Sequence, residues 1–185
     1  MATVLLILMV VAALAAVMAY NGLVSLRNRV QNAWKQIDVQ LKRRHDLIPN
    51  LMEAVKGAMQ FERDTLERVM QARARAVSAT TVATRAAAEG ELSQSLSRLF
   101  AVMENYPALK SNENVLQLQE ELTTTENQLA FARQCYNDEV MQFNTRQEVF
   151  PASLIATLFA FKPGEYFSAA DEDRAVPRVD LSLQK

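Results

Sequence analysis

The residues with the most potential for chemistry lie between Arg43 and Asn50, where Arg-Arg-His-Asp precedes Leu-Ile-Pro-Asn. A His-Asp pair on a helix also occurs in helical metal phosphohydrolases, which need a further histidine upstream and a distant aspartate to hold the metal. This chain contains one histidine and one cysteine. Those counts exclude paired Glu-x-x-His di-iron sites, histidine-rich zinc sites and thiolate cages.

Other reaction types find little support in the sequence. No aspartate-rich loop of EF-hand type and no Gly-x-x-x-x-Gly-Lys loop is present. Cys135 is predicted on a different helix from His45, so a nucleophile–base pair would require contact across a bundle. A carboxylate-only metal hydrolase remains an alternative, but no catalytic residue, cofactor or metal site is predicted.

The same stretch has a structural interpretation. Arg43, Asp46 and Asn50 follow one another at separations of three and four, which places them on one side of a helix. Pro49 cannot donate a hydrogen bond to the carbonyl of His45, and its ring clashes with the preceding turn. The sequence therefore predicts a polar patch beside a helix kink.

Matching polar residues occur on a later predicted helix. Glu126, Arg133 and Asn137 share a side, at separations of seven and four. If the two helices pack antiparallel, these three side chains can form hydrogen bonds and ion pairs with the polar patch, including Arg43 or Arg44. Charges that become buried require such partners. A layer of this kind fixes the register of long helices. It predicts that Asp46→Ala and Arg133→Ala are non-additive in their effect on stability.

The elements that would position these residues begin with an apolar segment. Residues 2–19 contain no charge, and Thr3 is their one polar side chain. A bilayer core of about 30 Å needs about 20 apolar residues as a helix, so residues 1–20 are predicted to form a transmembrane anchor. A cleaved signal peptide is the alternative. It would use residues 17–19 as its cleavage site, but the positive n-region is missing.

The charges around the anchor predict its orientation. Arg27, Arg29 and Lys35 follow it and no basic side chain precedes it, so the N-terminus is predicted outside the inner membrane and the bulk in the cytoplasm. The lone cysteine suits a reducing compartment. A formal net charge of -1 provides no basic field for a polyanion, which argues against nucleic acid as a partner.

The rest of the chain predicts an all-α fold, since Gly and Pro number only 4 and 5. An apolar stripe predicts a continuous helix from about Leu23 to Ala79, on the order of 85 Å long. A second helix is expected over 85–105. A third should start at capping residues 111–114 and end near Val149. Residues 154–161 form a short apolar helix between two prolines.

The order of these elements predicts three regions. The anchor continues into an elongated antiparallel helical bundle over residues 21–165, and residues 166–185 form an extended tail. The apolar helix at 154–161 is expected to be buried against the bundle, because a helix that is apolar all round is usually covered. An interfacial or partner-binding role is the alternative.

Several strings together resemble the LemA family of membrane-anchored helical proteins, in order and spacing and over essentially the whole chain. The resemblance implies a single N-terminal membrane helix with a short outside N-terminus, an elongated antiparallel bundle and no established catalytic residues. Cys135 before Tyr136 departs from the family pattern. The strings are Tyr20–Val24, Arg44–Leu51, Ala72-Arg73, Tyr106–Lys110, Glu126-Asn127, Ala132-Arg133, Tyr136-Asn137, Phe143–Thr145, Phe150-Pro151, Tyr166-Phe167 and Pro177.

These features predict a non-enzymatic membrane protein that self-assembles into a scaffold. The predicted long helix offers more apolar circumference than one returning chain covers, and anchoring raises the local concentration of copies. The expected partners are the lipid bilayer and further copies of the chain. An adaptor that binds a membrane protease or sensor through residues 154–161 and the tail is the alternative.

Overall fold

The structure is a computed structural model that describes residues 1–168, and within that part it contains six helices and no strand. The all-α prediction is confirmed. The helices are α1 (Ala2–Lys56), α2 (Arg63–Ser78), α3 (Val82–Met103), α4 (Pro107–Lys110), α5 (Glu113–Glu148) and α6 (Ala152–Leu158).

The molecule is organised along α1, whose 55 residues give it a length of about 80 Å. α5 packs along α1 in the antiparallel direction, because Glu126 contacts Arg44, Tyr136 contacts Trp34, and Phe143 shares a core cluster with residues near the start of the bundle. The bundle is therefore elongated and antiparallel, as the sequence predicts.

The predicted continuous helix to Ala79 is wrong at its far end. α1 ends at Lys56, the chain turns over residues 57–62, and α2 runs back along α1. Gly57 stands directly after α1, where its lack of a side chain weakens a helix. The apolar stripe does not reveal the turn, because α1 and α2 both direct that stripe into the same core.

Five helices share a core at the end distant from the N-terminus, to which the short α4 contributes Leu109. Its fully buried side chains include Ile48 and Leu51 of α1, Val69 of α2 and Leu99 of α3, and Leu122 of α5 closes it. Burial of such side chains supplies most of the stability of a helical bundle. This half of the bundle is thick enough to bury polar groups as well.

The half nearer the N-terminus is thinner, because most of α2 and α3 lies beyond it. There α1 and α5 pack as a pair through Ile37, Leu129 and Val140, and residues 159–168 lie against them. Phe167 of this extended segment is itself buried. Residues 169–185, most of the predicted tail, lie outside the described part of the chain.

Two of the helix starts follow from local hydrogen bonds. Thr81 and Thr84 form a reciprocal capping box at α3, with Thr81 Oγ1 accepting the Thr84 N–H at 3.1 Å. Asn112 Oδ1 accepts the N–H groups of Asn114 and Val115 at the start of α5. The predicted cap of α5 is confirmed. α3 begins three residues earlier than predicted.

The predicted burial of the short apolar helix is wrong for most of its surface. α6 covers Ala152 and Ala156, whereas Leu154 is 63% exposed and Leu158 is 74% exposed. The helix packs through its small alanine side, and its large side chains point away from the bundle. Composition predicted a covered helix because it does not show which side of a short helix faces the core.

Candidate functional site

The most unusual group of residues is a buried charge cluster between α1 and α3. The Glu89 side chain is fully buried, and only 2% of Arg44 is exposed. Arg44 Nη1 lies 3.3 Å from Glu89 Oε2, and His45 Nε2 lies 2.7 Å from Glu89 Oε1. The Glu89 carboxylate thus contacts both Arg44 and His45, which are adjacent basic residues of α1.

Arg44 extends the cluster to α5. Its Nη2 lies 2.8 Å from Glu126 Oε2 and donates to Ser93 Oγ at 2.9 Å. The Ser93 hydroxyl is also within 3.5 Å of the Glu126 carboxylate. Buried charges are tolerated when paired and hydrogen-bonded, and here those bonds join three helices. We call Arg44, His45, Glu89, Ser93 and Glu126 the charge cluster.

Pro49 adds a link between α1 and α2. As an imino acid it leaves the carbonyl of His45 without the usual helical donor. Arg73 of α2 supplies that donor, since its Nε lies 2.7 Å from His45 O. α1 continues through Pro49 to Lys56. The proline therefore exposes an acceptor that fixes where α2 docks, and the predicted kink stays a prediction.

This arrangement predicts coupling between Pro49 and Arg73. Arg73→Ala removes the donor to His45 O and should cost about 1–3 kcal/mol in unfolding free energy. In the Pro49→Ala background the new amide can bond that carbonyl, so the cost of Arg73→Ala should shrink. Denaturant unfolding of the four proteins measures this difference.

The matched control is Arg68→Ala, because Arg68 is an exposed arginine of the same helix. Its small effect should be equal in both backgrounds. Equal losses for Arg73→Ala with and without Pro49 would show that the bond to the carbonyl contributes nothing to stability.

Of the predicted polar layer, the structure brings together Arg44 and Glu126. Arg43 lies on the exposed side, 3.6 Å from the Glu121 carboxylate. Asp46 and Asn50 are exposed and have no side-chain hydrogen bond or ion pair within residues 1–168. The polar side of α1 that packs against the bundle is therefore one residue away from the predicted side, because Arg44 faces α5 where Arg43 was expected to.

The predicted pairing of Asp46 with Arg133 is wrong for the same reason. Arg133 instead lies over the Phe167 ring, with its guanidinium carbon 4.9 Å from the ring centroid. Burial lowers the pKa of Arg133, and the Glu126 carboxylate opposes that shift. Its Nε and Nη2 are buried and find no hydrogen-bond acceptor within the described part of the chain.

Asn137, predicted to face α1, binds the C-terminal segment. Its side chain exchanges two hydrogen bonds with the backbone of Phe167, at 2.8 and 3.0 Å. Asn144 makes the same pair with Gly164, at 2.8 and 3.0 Å. The Tyr136 hydroxyl donates to Glu165 O at 2.8 Å. These three side chains of α5 form what we call the tail clamp.

The tail clamp also changes the properties of Tyr136. Burial raises the pKa of its hydroxyl, and the nearby Glu165 carboxylate raises it further. Its ring packs edge-on against Trp34 at 5.3 Å, beside Phe167. The extended segment is thus held by side-chain amides on one side and by aromatic contacts on the other.

The charge cluster holds its polar groups to one another. His45 Nε2 and Arg44 Nη1 are directed to Glu89, and the Ser93 hydroxyl contacts Arg44 and Glu126 rather than the histidine. Within residues 1–168 no three His, Cys, Asp or Glu side chains form a group able to hold a metal ion.

Sequence reasoning missed Glu89, although the sequence carries a signal for it. Leu92, Leu96 and Leu99 form the core stripe of α3, and Glu89 is the preceding position of that stripe. Arg44 likewise fills the gap between Leu41 and Ile48 on α1. A charged residue at a core position on each of two helices indicates a buried pair.

The N-terminal part of α1 has a different character. Among the described residues, α1 is the one helix with a segment long and apolar enough to cross a membrane, and that segment is near the N-terminus. Its large side chains are exposed from Val4 to Met18.

These features define a class of elongated, all-helical proteins with an apolar N-terminal helix that extends into an antiparallel bundle. The chain belongs to the LemA family, whose model matches residues 33–181. The resemblance in the sequence is therefore confirmed.

Curated relatives agree with this assignment. The chain is 24% identical over 169 residues to protein LemA of Metamycoplasma hominis, covering 89% of this chain and 74% of that protein. It is 29% identical over 99 residues to magnetosome protein MamQ 2 of Paramagnetospirillum magneticum and 27% identical over 99 residues to magnetosome protein MamQ of Magnetospirillum gryphiswaldense. The chain spans 36% of the length of these MamQ proteins, and the matches cover 52% of this chain.

Proposed function

We propose that this chain is a non-enzymatic, single-pass membrane protein whose cytoplasmic helical bundle assembles with further copies into a membrane-bound scaffold. The apolar part of α1 supports the anchor. The exposed Arg27 and Arg29 that follow it support an outside N-terminus and a cytoplasmic bundle.

The observation that carries self-assembly is a groove between α1 and α5 in the thin half of the bundle. Val39 on α1 is 63% exposed, and Phe131 on α5 is 68% exposed. Both line the groove, so they lie at the same level along the molecule. The groove is rimmed by Lys35 and by side-chain amides, including Gln36.

A second copy is the occupant that fits this groove. Membrane anchors keep the long axes of neighbouring copies parallel, and a two-fold axis along the membrane normal brings residues of equal height together. Phe131 of each copy then meets Val39 of the other, which makes the surface self-complementary. The rim consists mainly of neutral amides, so like-charge repulsion is small. Anchoring raises the effective concentration of copies in the membrane.

The test is the mass of the intact protein in detergent micelles or nanodiscs, measured by light scattering. Wild-type protein should exceed the monomer mass, and Phe131→Glu should shift it to the monomer because a buried, unpaired carboxylate is costly. Phe61→Glu is the matched control, since Phe61 is 89% exposed in the turn before α2. That variant should assemble as wild type does.

Monomeric wild-type protein would refute the scaffold proposal. That result would favour the alternative, an adaptor that binds a membrane protease or sensor. It draws on the exposed Leu154 and Leu158 of α6, which present an apolar surface. Assembly that survives Phe131→Glu would show that copies associate through another surface.

A further inference from the structure

The end of α5 lies level with the end of the apolar span of α1. Phe143 shares a core cluster with Leu23. α5 continues for five residues beyond Phe143, to Glu148, which is about 7–8 Å further toward the N-terminal end of α1. Residues 149–159 therefore lie beside the last turns of the segment that can cross a membrane.

Burial along α1 shows the same placement. From Ala2 to Leu14 every side chain of the span is exposed, whereas Ala15 and Ala16 are half-buried and Ala19 is buried. The Tyr20 ring lies 4.8 Å from the Phe159 ring and 5.9 Å from the Phe161 ring. The chain after α5 thus covers one side of the span's end.

The outer surface of this region is apolar. Phe150, Leu154, Leu158 and Phe159 are all more than half exposed, and we call them the apolar collar. A soluble surface rarely presents four such side chains in one short segment, and a contiguous apolar patch marks an interaction site. The exposed apolar side chains of the span extend to Met18, two residues before Tyr20, whose ring contacts Phe159 of the collar.

Basic groups follow directly after the collar. The Arg27 guanidinium lies over the Phe161 ring, 5.5 Å from its centroid, and Lys162 is exposed next in the chain. Aromatic and basic residues are enriched where a helix leaves the hydrocarbon, because headgroups accept hydrogen bonds and carry negative charge. The order from apolar collar through aromatic contact to basic groups matches the order from acyl chains through the interface to the headgroups of a bilayer.

We propose that the apolar collar is a second membrane contact, in which Phe150, Leu154, Leu158 and Phe159 enter the boundary between acyl chains and headgroups beside α1. The occupant of this surface is lipid, since lipid surrounds any helix that spans the bilayer at this level. The contact holds the base of the bundle at two points and restricts its tilt. The inference rests on the membrane anchoring in the proposed function.

The test is depth-dependent fluorescence quenching of the full chain in vesicles of phosphatidylcholine, with and without phosphatidylglycerol. Single cysteines in a Cys135→Ser background carry an environment-sensitive fluorophore. The quencher is a nitroxide near the top of the lipid acyl chain for the collar and control positions, and a nitroxide near the end of the acyl chain for Val10→Cys. Leu158→Cys and Leu154→Cys report on the collar. Val10→Cys reports on the span, and Phe131→Cys is the control, being equally exposed but on the bundle.

Quenching at both collar positions should be several-fold stronger than at Phe131→Cys, and stronger still when the anionic lipid is present if Arg27 and Lys162 contact headgroups. Collar quenching equal to that of the control, with Val10→Cys quenched, would overturn the second contact and leave the anchor intact. Loss of quenching at Val10→Cys as well would overturn the anchor too. Blue-shifted but unquenched collar labels would mean that protein covers the collar, which also refutes lipid contact.

Discussion

Glu89→Ala is expected to lower the unfolding free energy by about 3–5 kcal/mol, because it leaves buried positive charge without its partner. Glu89 is fully buried and receives both Arg44 and His45. Arg44 then keeps the hydroxyl of Ser93 and, as its one remaining ion-pair partner in the charge cluster, the partly exposed Glu126. For a chain of this length the midpoint of thermal unfolding should fall by about 10 °C.

The matched control is Glu91→Ala on the same helix. Glu91 pairs with Arg75 at 2.9 Å, but both side chains are more than half exposed, so its loss should cost no more than about 1 kcal/mol. The double variant Arg44→Met with Glu89→Met should lose less unfolding free energy than the sum of the losses of Arg44→Met and Glu89→Met, because it removes both buried charges. Equal losses for Glu89→Ala and Glu91→Ala would show that the charge cluster contributes little.

The charge cluster could be predicted from the sequence only in part. A polar layer between α1 and α5 was predictable, and Arg44 and Glu126 do meet. The stripe positions of Glu89 and Arg44 indicate a buried pair, but the spacing of Arg43, Asp46 and Asn50 directed the prediction toward α5 alone. Hydrophobic spacing favours Arg44 over Arg43 as the inward residue, because Arg44 fills the position between Leu41 and Ile48.

The helical fold was more accessible than its turns. Apolar spacing locates α3 and α5 to within a few residues, and the cap of α5 at Asn112 is a local signal that the sequence shows directly. The turn after Lys56 has only Gly57 to mark it. Its position depends on which faces pack together, which is a property of the tertiary structure.

The tail clamp was outside the reach of sequence patterns. Asn137 and Asn144 lie seven residues apart on one side of α5, a spacing that fits contact with another helix equally well. Their hydrogen bonds go to backbone groups of an extended segment, and such a segment has no side-chain periodicity from which its position could be predicted. The sequence therefore predicted the correct side of α5 and the wrong partner.

The double variant Asn137→Ala with Asn144→Ala is expected to release residues 162–168 from α5. Four hydrogen bonds are lost, at about 0.5–1.5 kcal/mol each, so the free energy that holds this segment should fall by about 2–6 kcal/mol. The released backbone can bond water, so the bundle core should unfold at nearly the same denaturant concentration. Chymotrypsin cleavage after Phe167, which is buried in the wild type, should become fast.

Trp34 gives an independent measurement of the same release. It is the one tryptophan of the chain, and its ring lies 6.1 Å from the Phe167 ring. Loss of that contact should admit water and shift its emission to longer wavelength. Gln134→Ala, an exposed amide on the same helix, should change neither cleavage nor emission. Slow cleavage and unshifted emission in the double variant would mean that aromatic contacts, including Arg133 over Phe167, hold the segment without the asparagines.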